Sequence, residues 1–146
     1  EKKLIMSMIP PSGDPLMVWV DPLRLRQVIT NLLSNAIRYN DNGGLIEVLW
    51  RIAEDGREIS YSVRDNGIGI PEADRGRIFT KFFRAGNALA QVPDGSGLGL
   101  PLVKDIVETW GGQVHFETTE GKGSTFTFTI PLVSAVSYLP NTEAIA

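Results

Sequence analysis

Apolar residues recur along this chain at two spacings, and the points where the spacing changes mark out its elements. Leu4 to Ile9 and Met17 to Val20 are apolar runs of strand length separated by the turn-rich Pro10-Pro11-Ser12-Gly13-Asp14-Pro15, which predicts an opening pair of strands. Asp21-Pro22 then supplies a capping carboxylate and a proline suited to the first helical position, and Leu25, Val28, Ile29, Leu32, Leu33 and Ala36 follow at helical spacing. A long amphipathic helix is expected, ending near Tyr39 ahead of Asn40-Asp41-Asn42-Gly43-Gly44. Ile46 to Ile52 and Ile59 to Val63 are alternating, β-branched or aromatic runs joined by Glu54-Asp55-Gly56-Arg57, the pattern of a hairpin that delivers Asp65 at a strand end. Helical spacing returns weakly from Ala73 to Phe83 and vanishes across Ala85 to Ser96. It returns strongly at Leu102, Val103, Ile106, Val107 and Trp110 before the Gly111-Gly112 stop. A last hairpin, Gln113 to Thr118 and Ser124 to Leu132, turns at Glu120-Gly121-Lys122-Gly123. Strands interrupted by helices, with antiparallel hairpins, predict an α/β two-layer sandwich: about three helices covering one face of a mixed, mostly antiparallel sheet.

With 146 residues, 42% of them hydrophobic, the chain has the size and apolar content of one domain with a continuous core. Residues 1–132 are expected to form it, with 133–146 as a C-terminal tail or linker. A formal net charge of -3 leaves no broad basic surface, which argues against a nucleic acid held through its phosphates. No apolar run approaches the roughly 18 residues needed to cross a bilayer, and Leu4 to Ile9 after Lys2-Lys3 is too short for a signal peptide. No direct membrane insertion of this chain is expected. The absence of cysteine excludes a disulfide framework, a thiol nucleophile and thiolate zinc sites, and suits a reducing cytoplasm. The first residue is Glu1 rather than Met, which suggests a piece of something longer.

Three patches carry candidate chemistry. Asn31, Asn35 and Arg38 are spaced by four and three, so they form one polar stripe beside the apolar face of the first helix. An amide oxygen is a hard, neutral ligand suited to Mg²⁺, which takes its other oxygens from water and substrate phosphates, and Asn35 is the natural candidate. The alternative is a pair of solvated asparagines, but Asn costs about 0.6 kcal/mol against Ala in a helix interior, so two at this spacing invite a reason. Asp65 precedes Gly67 and Gly69, where a buried carboxylate could accept a hydrogen bond from the exocyclic amine of adenine and repel a guanine carbonyl. A glycine turn capped by an Asx interaction explains the same residues equally well. Gly95, Gly97 and Gly99 precede the second apolar helix, so their amides could cradle a phosphate with the helix N-terminus behind them. No Gly-Lys-Ser/Thr closes this loop as in a P-loop, and Leu102 stands where the dinucleotide fingerprint requires glycine.

In order and spacing, Asn31-Leu32-Leu33-Ser34-Asn35-Ala36-Ile37-Arg38-Tyr39, Asp65-Asn66-Gly67-Ile68-Gly69-Ile70 and Gly95-Ser96-Gly97-Leu98-Gly99-Leu100 resemble the N, G1 and G2 boxes of sensor histidine kinases. Ile78 to Arg84 is similar to the family's F box, and Gly121-Lys122-Gly123-Ser124-Thr125-Phe126 to its closing strand turn, so the resemblance runs from Lys3 to about Leu132. It implies a Bergerat-type ATP-binding fold shared with gyrase, Hsp90 and MutL, ATP and Mg²⁺ as ligands, and Asn35 as the metal ligand. It further implies Asp65 for adenine, Gly67 and Gly69 for the nucleotide wall, and Gly97 and Gly99 for phosphate. Asn31, Arg38, Tyr39, Ile68, Ile70, Gly95, Ser96, Leu98, Leu100 and Thr125 become further contact positions, with Asn31, Arg38 and Arg84 near the reacting phosphate. Ala85 to Ser96 corresponds to a mobile ATP lid that orders around ligand. The implied partners are a histidine-bearing dimerisation domain of the parent kinase and, indirectly, a response regulator. The implied location is cytoplasmic, in a family whose parents include inner-membrane sensors.

Departures from the family pattern are few. Arg38 replaces the more usual lysine, changing a point cation into a planar fork. Pro101 follows the glycines where a small residue is commoner, and in a first helical turn its missing amide costs no hydrogen bond. His115, the lone histidine, lies on a predicted late strand outside the context of a phosphoacceptor, and reads as an ordinary strand residue. Phe79, Phe82 and Phe83 either dock against the helical domain or fill the local core, the latter being expected of at least one. Two rival functions differ in class: a scaffold that binds nucleotide without phosphotransfer, and a hydrolytic clamp. The resemblance to gyrase and Hsp90 implies that a clamp needs a carboxylate one turn before Asn35, where Asn31 stands, so hydrolysis should be slow.

Overall fold

Five strands form one mixed sheet in the order β1-β2-β3-β5-β4, seen in a computed structural model that describes residues 3–9 and 17–133. They are β1 (Ile5–Ile9), β2 (Leu45–Ile52), β3 (Glu58–Asp65), β4 (Val114–Thr119) and β5 (Gly123–Pro131), interleaved with helices α1 (Pro22–Arg38), α2 (Gly86–Gln91) and α3 (Gly99–Thr109). β1 runs parallel to β2, and the other three pairings are antiparallel. The α/β sandwich with a mixed, mostly antiparallel sheet is therefore the observed fold.

Strand alternation sorts the two faces. Ile46 and Val48 of β2, Ile59, Tyr61 and Val63 of β3, and Phe126, Phe128 and Ile130 of β5 are buried on one face. Val28, Leu32 and Ala36 of α1 and Val103, Ile106 and Val107 of α3 cover it. The register aligns Trp50, Tyr61 and Phe128 across three strands, with ring centroids 4.5 Å apart for the first pair and 5.2 Å for the second. Burial pushes the Tyr61 hydroxyl up to about 12. The opposite face is polar: Ser62 and Thr127 share a 2.8 Å hydrogen bond, and Arg64 pairs with Glu47 at 3.6 Å. His115, exposed on β4 opposite Thr127, lies on this polar face.

Asp21 caps α1 as its position predicts, its Oδ1 accepting from the N–H of Leu23 at 2.7 Å and of Arg24 at 3.3 Å. The opening pair of strands does not form. β1 lies beside β2, reached through α1 as a crossover, while Val18 makes a single bridge to Leu132. Two apolar runs flanking a turn suggest a hairpin locally, but α1 carries the chain back so that the run after it pairs in parallel. The turn-rich interval between them, like the tail beyond Val133, lies outside the described residues. The weak helical signal near Ala73 resolves into a 3₁₀ helix over Glu72–Arg77, and the unpatterned stretch after Arg84 contains α2.

Truncating Phe128 removes a fully buried ring, so Phe128→Ala should lower the unfolding free energy by about 3–5 kcal/mol in urea titration. Asp21→Ala, which removes only a cap, should cost about 1 kcal/mol. Equal losses would contradict this division between core and cap.

Candidate functional site

A cavity of about 290 Å³ opens where the C-terminal half of α1, the turn after β3, the segment containing α2 and the start of α3 meet. Helical spacing brings Asn31, Asn35 and Arg38 to its wall together, with Tyr39 at the helix end. The Asn31 amide donates to the Gln27 carbonyl at 2.8 Å, one turn back, which fixes the side chain against the helix. From the other side come Asp65, Ile68, Gly69 and Ile70, and from the loop leading into α3 come Gly95, Ser96, Gly97, Gly99 and Leu100.

Asp65 ends β3 on the core-facing side of the sheet. Its Oδ1 accepts from the Gly67 N–H at 2.8 Å. Burial pushes the carboxyl up from its ordinary value, and main-chain hydrogen bonds from Gly67 and Ser124 oppose that shift. The turn is clamped from both sides by main chain. Ile68 N–H donates to the Tyr39 carbonyl at 3.0 Å, and Gly121 N–H donates to the Ile68 carbonyl at 2.7 Å. A Cβ on Gly67 would lie 2.2 Å from the Tyr39 carbonyl oxygen, and one on Gly69, at φ +62, 2.0 Å from that of Thr119. Both glycines are required by close backbone approach.

Three of the positions expected from sequence do not line the cavity. Gly67 spaces the turn from α1, and Leu98, the residue before α3, is 38% exposed. Thr125 faces the polar side of the sheet, opposite Arg64, because strand parity puts it out of phase with Asp65. Its neighbour Ser124, opposite Asp65, lines the cavity instead. Sequence reasoning also missed Phe83, Asn87 and Phe126 on the wall. The strand alternation that exposes the Thr125 shift was legible, but nothing in the pattern singled out Asn87.

The segment between Arg84 and Gly95 is folded over the cavity rather than open. Asn87 Nδ2 donates to the Gly69 carbonyl at 2.9 Å, Gln91 Nε2 to the Asn40 carbonyl at 3.4 Å, and Gly86 N–H to Asp74 Oδ2 at 3.0 Å. Phe79 packs edge-on to Phe116 at 5.9 Å, and Arg77 lies 4.3 Å over the Phe83 ring, so these two aromatics belong to the local packing. Phe82 is 75% exposed, has φ 65, and donates its N–H to the Gly97 carbonyl at 3.0 Å.

A helix-backed mixed sheet with an amide stripe, a half-buried carboxylate and a glycine loop around one cavity defines an ATP-binding class of α/β domain. The chain belongs to the histidine kinase-, DNA gyrase B-, and HSP90-like ATPase family, whose profile matches residues 20–134. Within it, the relatives are sensor histidine kinases of two-component signalling. The chain is 43% identical over 111 residues to the circadian input-output histidine kinase CikA of Synechococcus elongatus, covering 76% of this chain and 14% of that protein. It therefore spans a small part of that relative's length. The mycobacterial sensor histidine kinase MprB superposes with a TM-score of 0.74 at 26% identity, covering 89% of this chain and 83% of the other. ShkA, solved full-length in complex with AMPPNP, gives a TM-score of 0.70 at 29% identity, covering 91% and 26%. Among the described residues no helix is long and apolar enough to cross a membrane.

Because the folded-state pKa of Asp65 is raised, ionising it opposes folding, and this cost disappears as pH falls through that pKa. Stability of the unmodified chain relative to Asp65→Asn should rise between about pH 7 and about pH 4 in urea titrations. Parallel pH profiles would show that the carboxyl ionises in the fold as freely as in the unfolded chain.

Proposed function

We propose that this domain binds Mg²⁺·ATP and donates the γ-phosphoryl group to a histidine on a separate dimerisation domain of the same sensor kinase, for relay to a response-regulator aspartate. The supporting observation is convergence: Asn31 and Asn35 from α1, Asp65 from the end of β3, and Gly95, Gly97 and Gly99 from the loop before α3 reach one cavity. Residues 1–132 would form this catalytic unit and 133–146 a tail or linker.

Asp65, with one oxygen occupied by Gly67 N–H, retains acceptor capacity for an exocyclic amine, which favours adenine over guanine. Ile68 and Ile70 supply apolar wall beside it, and Gly69 lets main chain approach the base. The Gly95 to Gly99 loop opens into the N-terminus of α3, where main-chain N–H groups suit phosphate. Arg38 and Arg84 provide cationic groups on the wall for the phosphates. Asn31 and Asn35 bring neutral amide groups to the cavity wall, a donor set that suits a cation arriving with most of its ligands on the nucleotide. Asn35 would hold Mg²⁺, which when bound would neutralise charge on the β and γ oxygens. The protein's share of the transfer is then positioning and charge stabilisation, with no covalent nucleophile of its own. The exposed Phe82 ring is available to the partner domain.

A hydrolytic clamp is disfavoured because Asn31, whose amide is held by the Gln27 carbonyl, has no basic group with which to activate water. A pure scaffold would bind nucleotide yet leave the histidine domain unlabelled.

Thermal-shift titration with Mg²⁺ and ATP, ADP or GTP tests the binding half. ATP at 100 times its dissociation constant should add about 2.7 kcal/mol of stability, with GTP ineffective. Asp65→Asn should abolish the adenine preference and Asn35→Ala the dependence on Mg²⁺, whereas Thr125→Val should leave both intact. Incubation with labelled ATP and the parent's dimerisation domain tests the transfer half, and an unlabelled partner would move the assignment to the scaffold.

A further inference from the structure

The helix α2 spans six residues, Gly86–Gln91, with an N-cap residue, Ala85, whose side chain cannot cap it, and no basic residue in its last turn. A helix of this length does not persist in water on its own, so something outside it must satisfy its ends. Asp74 takes the Gly86 N–H at the N-terminal end, and the Arg84 guanidinium serves the C-terminal end. Nη1 donates to the Pro93 carbonyl at 2.6 Å, and Nη2 donates to the carbonyls of Ala88, at 3.4 Å, and Val92. A cation thus sits at the C-terminal end of α2, where the helix dipole favours it, pairing the Val92 and Pro93 carbonyls beyond the helix and sharing that of Ala88 with the Val92 N–H. Gly95 leaves room for this pose, since a Cβ there would stand 3.1 Å from Arg84 Cζ.

We propose that Arg84 is a positioning residue that builds the lid before a nucleotide arrives, by tying the carbonyls of Ala88, Val92 and Pro93 to the end of the phenylalanine segment. The folded lid thereby differs from a loop that orders only around ligand. Three of the five guanidinium N–H groups are committed to main chain, and two remain for an anion. The consequence for nucleotide rests on the function proposed above: the side chain that shapes the lid also meets the incoming phosphates, so lid order and phosphate binding share one group. A phosphate oxygen is a stronger acceptor than a neutral carbonyl, and it draws on the free N–H groups first. Lysine keeps the charge at this position but lacks the planar fork that spans several carbonyls.

Hydrogen exchange on the whole chain without nucleotide, comparing it with Arg84→Lys and Arg84→Ala, tests the latch. The N–H groups of Leu89 and Val92, which donate to the carbonyls of Ala85 and Ala88, report on α2. Both variants should exchange there at least about tenfold faster, with the amides of β3 and β5 unchanged as the control for folding. Unchanged lid exchange in Arg84→Ala, or full rescue by lysine, overturns the latch. Calorimetric titration of the same three proteins with Mg²⁺·ATP tests the shared group, with affinity expected to fall about tenfold in Arg84→Ala. Unaltered affinity in that variant overturns the sharing. Failure of the unmodified chain to bind would instead sink the proposed function, while the exchange result still decides the latch.

Discussion

Main chain lies against main chain on both sides of the turn from Asp65 to Ile70, and the geometry of the site depends on that contact. The end of α1 presses on it through the Tyr39 carbonyl, and the β4–β5 hairpin through Thr119 and Gly121. With no side chain between them, the three segments cannot slide independently without breaking hydrogen bonds that are already in place. Asp65 is therefore aimed by elements far apart in sequence. Their packing against the sheet transmits the rigidity of the core to a single carboxyl group.

The same arrangement explains the division of labour between the two faces of the sheet. The helix-covered face supplies both the core and, where α1 and α3 part, the cavity. The other face pairs half-buried hydroxyls and, in water, opposite charges whose pairing adds little stability. A one-residue difference in strand position thus separates a group that meets the cavity, Ser124, from one that meets solvent, Thr125.

Elements whose signals are local and periodic were legible in the sequence. α1 announced itself by its cap, its proline and its apolar spacing, and the β2–β3 hairpin by alternation around a glycine turn. The partnership of β1 with β2 was not legible, because pairing is decided by where α1 delivers the chain and not by the composition of the run itself. α2 escaped for a related reason: its stability comes from an arginine outside it and from polar contacts across the cavity, so no hydrophobic period marks it. Among the site positions, those on α1 and the glycine turns followed from spacing. Gly67 was found by its residue type, although what it contacts is the helix end rather than the cavity.

Phe82 places an aromatic ring in water while its amide reaches inward to the Gly97 carbonyl. A bulky residue at positive φ carries a backbone penalty of about 1–3 kcal/mol. Glycine would relieve that penalty and delete the ring, whereas valine or isoleucine would keep an apolar surface and worsen the strain. Optimising this position for stability alone would thus run against keeping its outward face, so an attempt to harden the domain by glycine substitution would meet its conflict here, on the surface, before reaching the core.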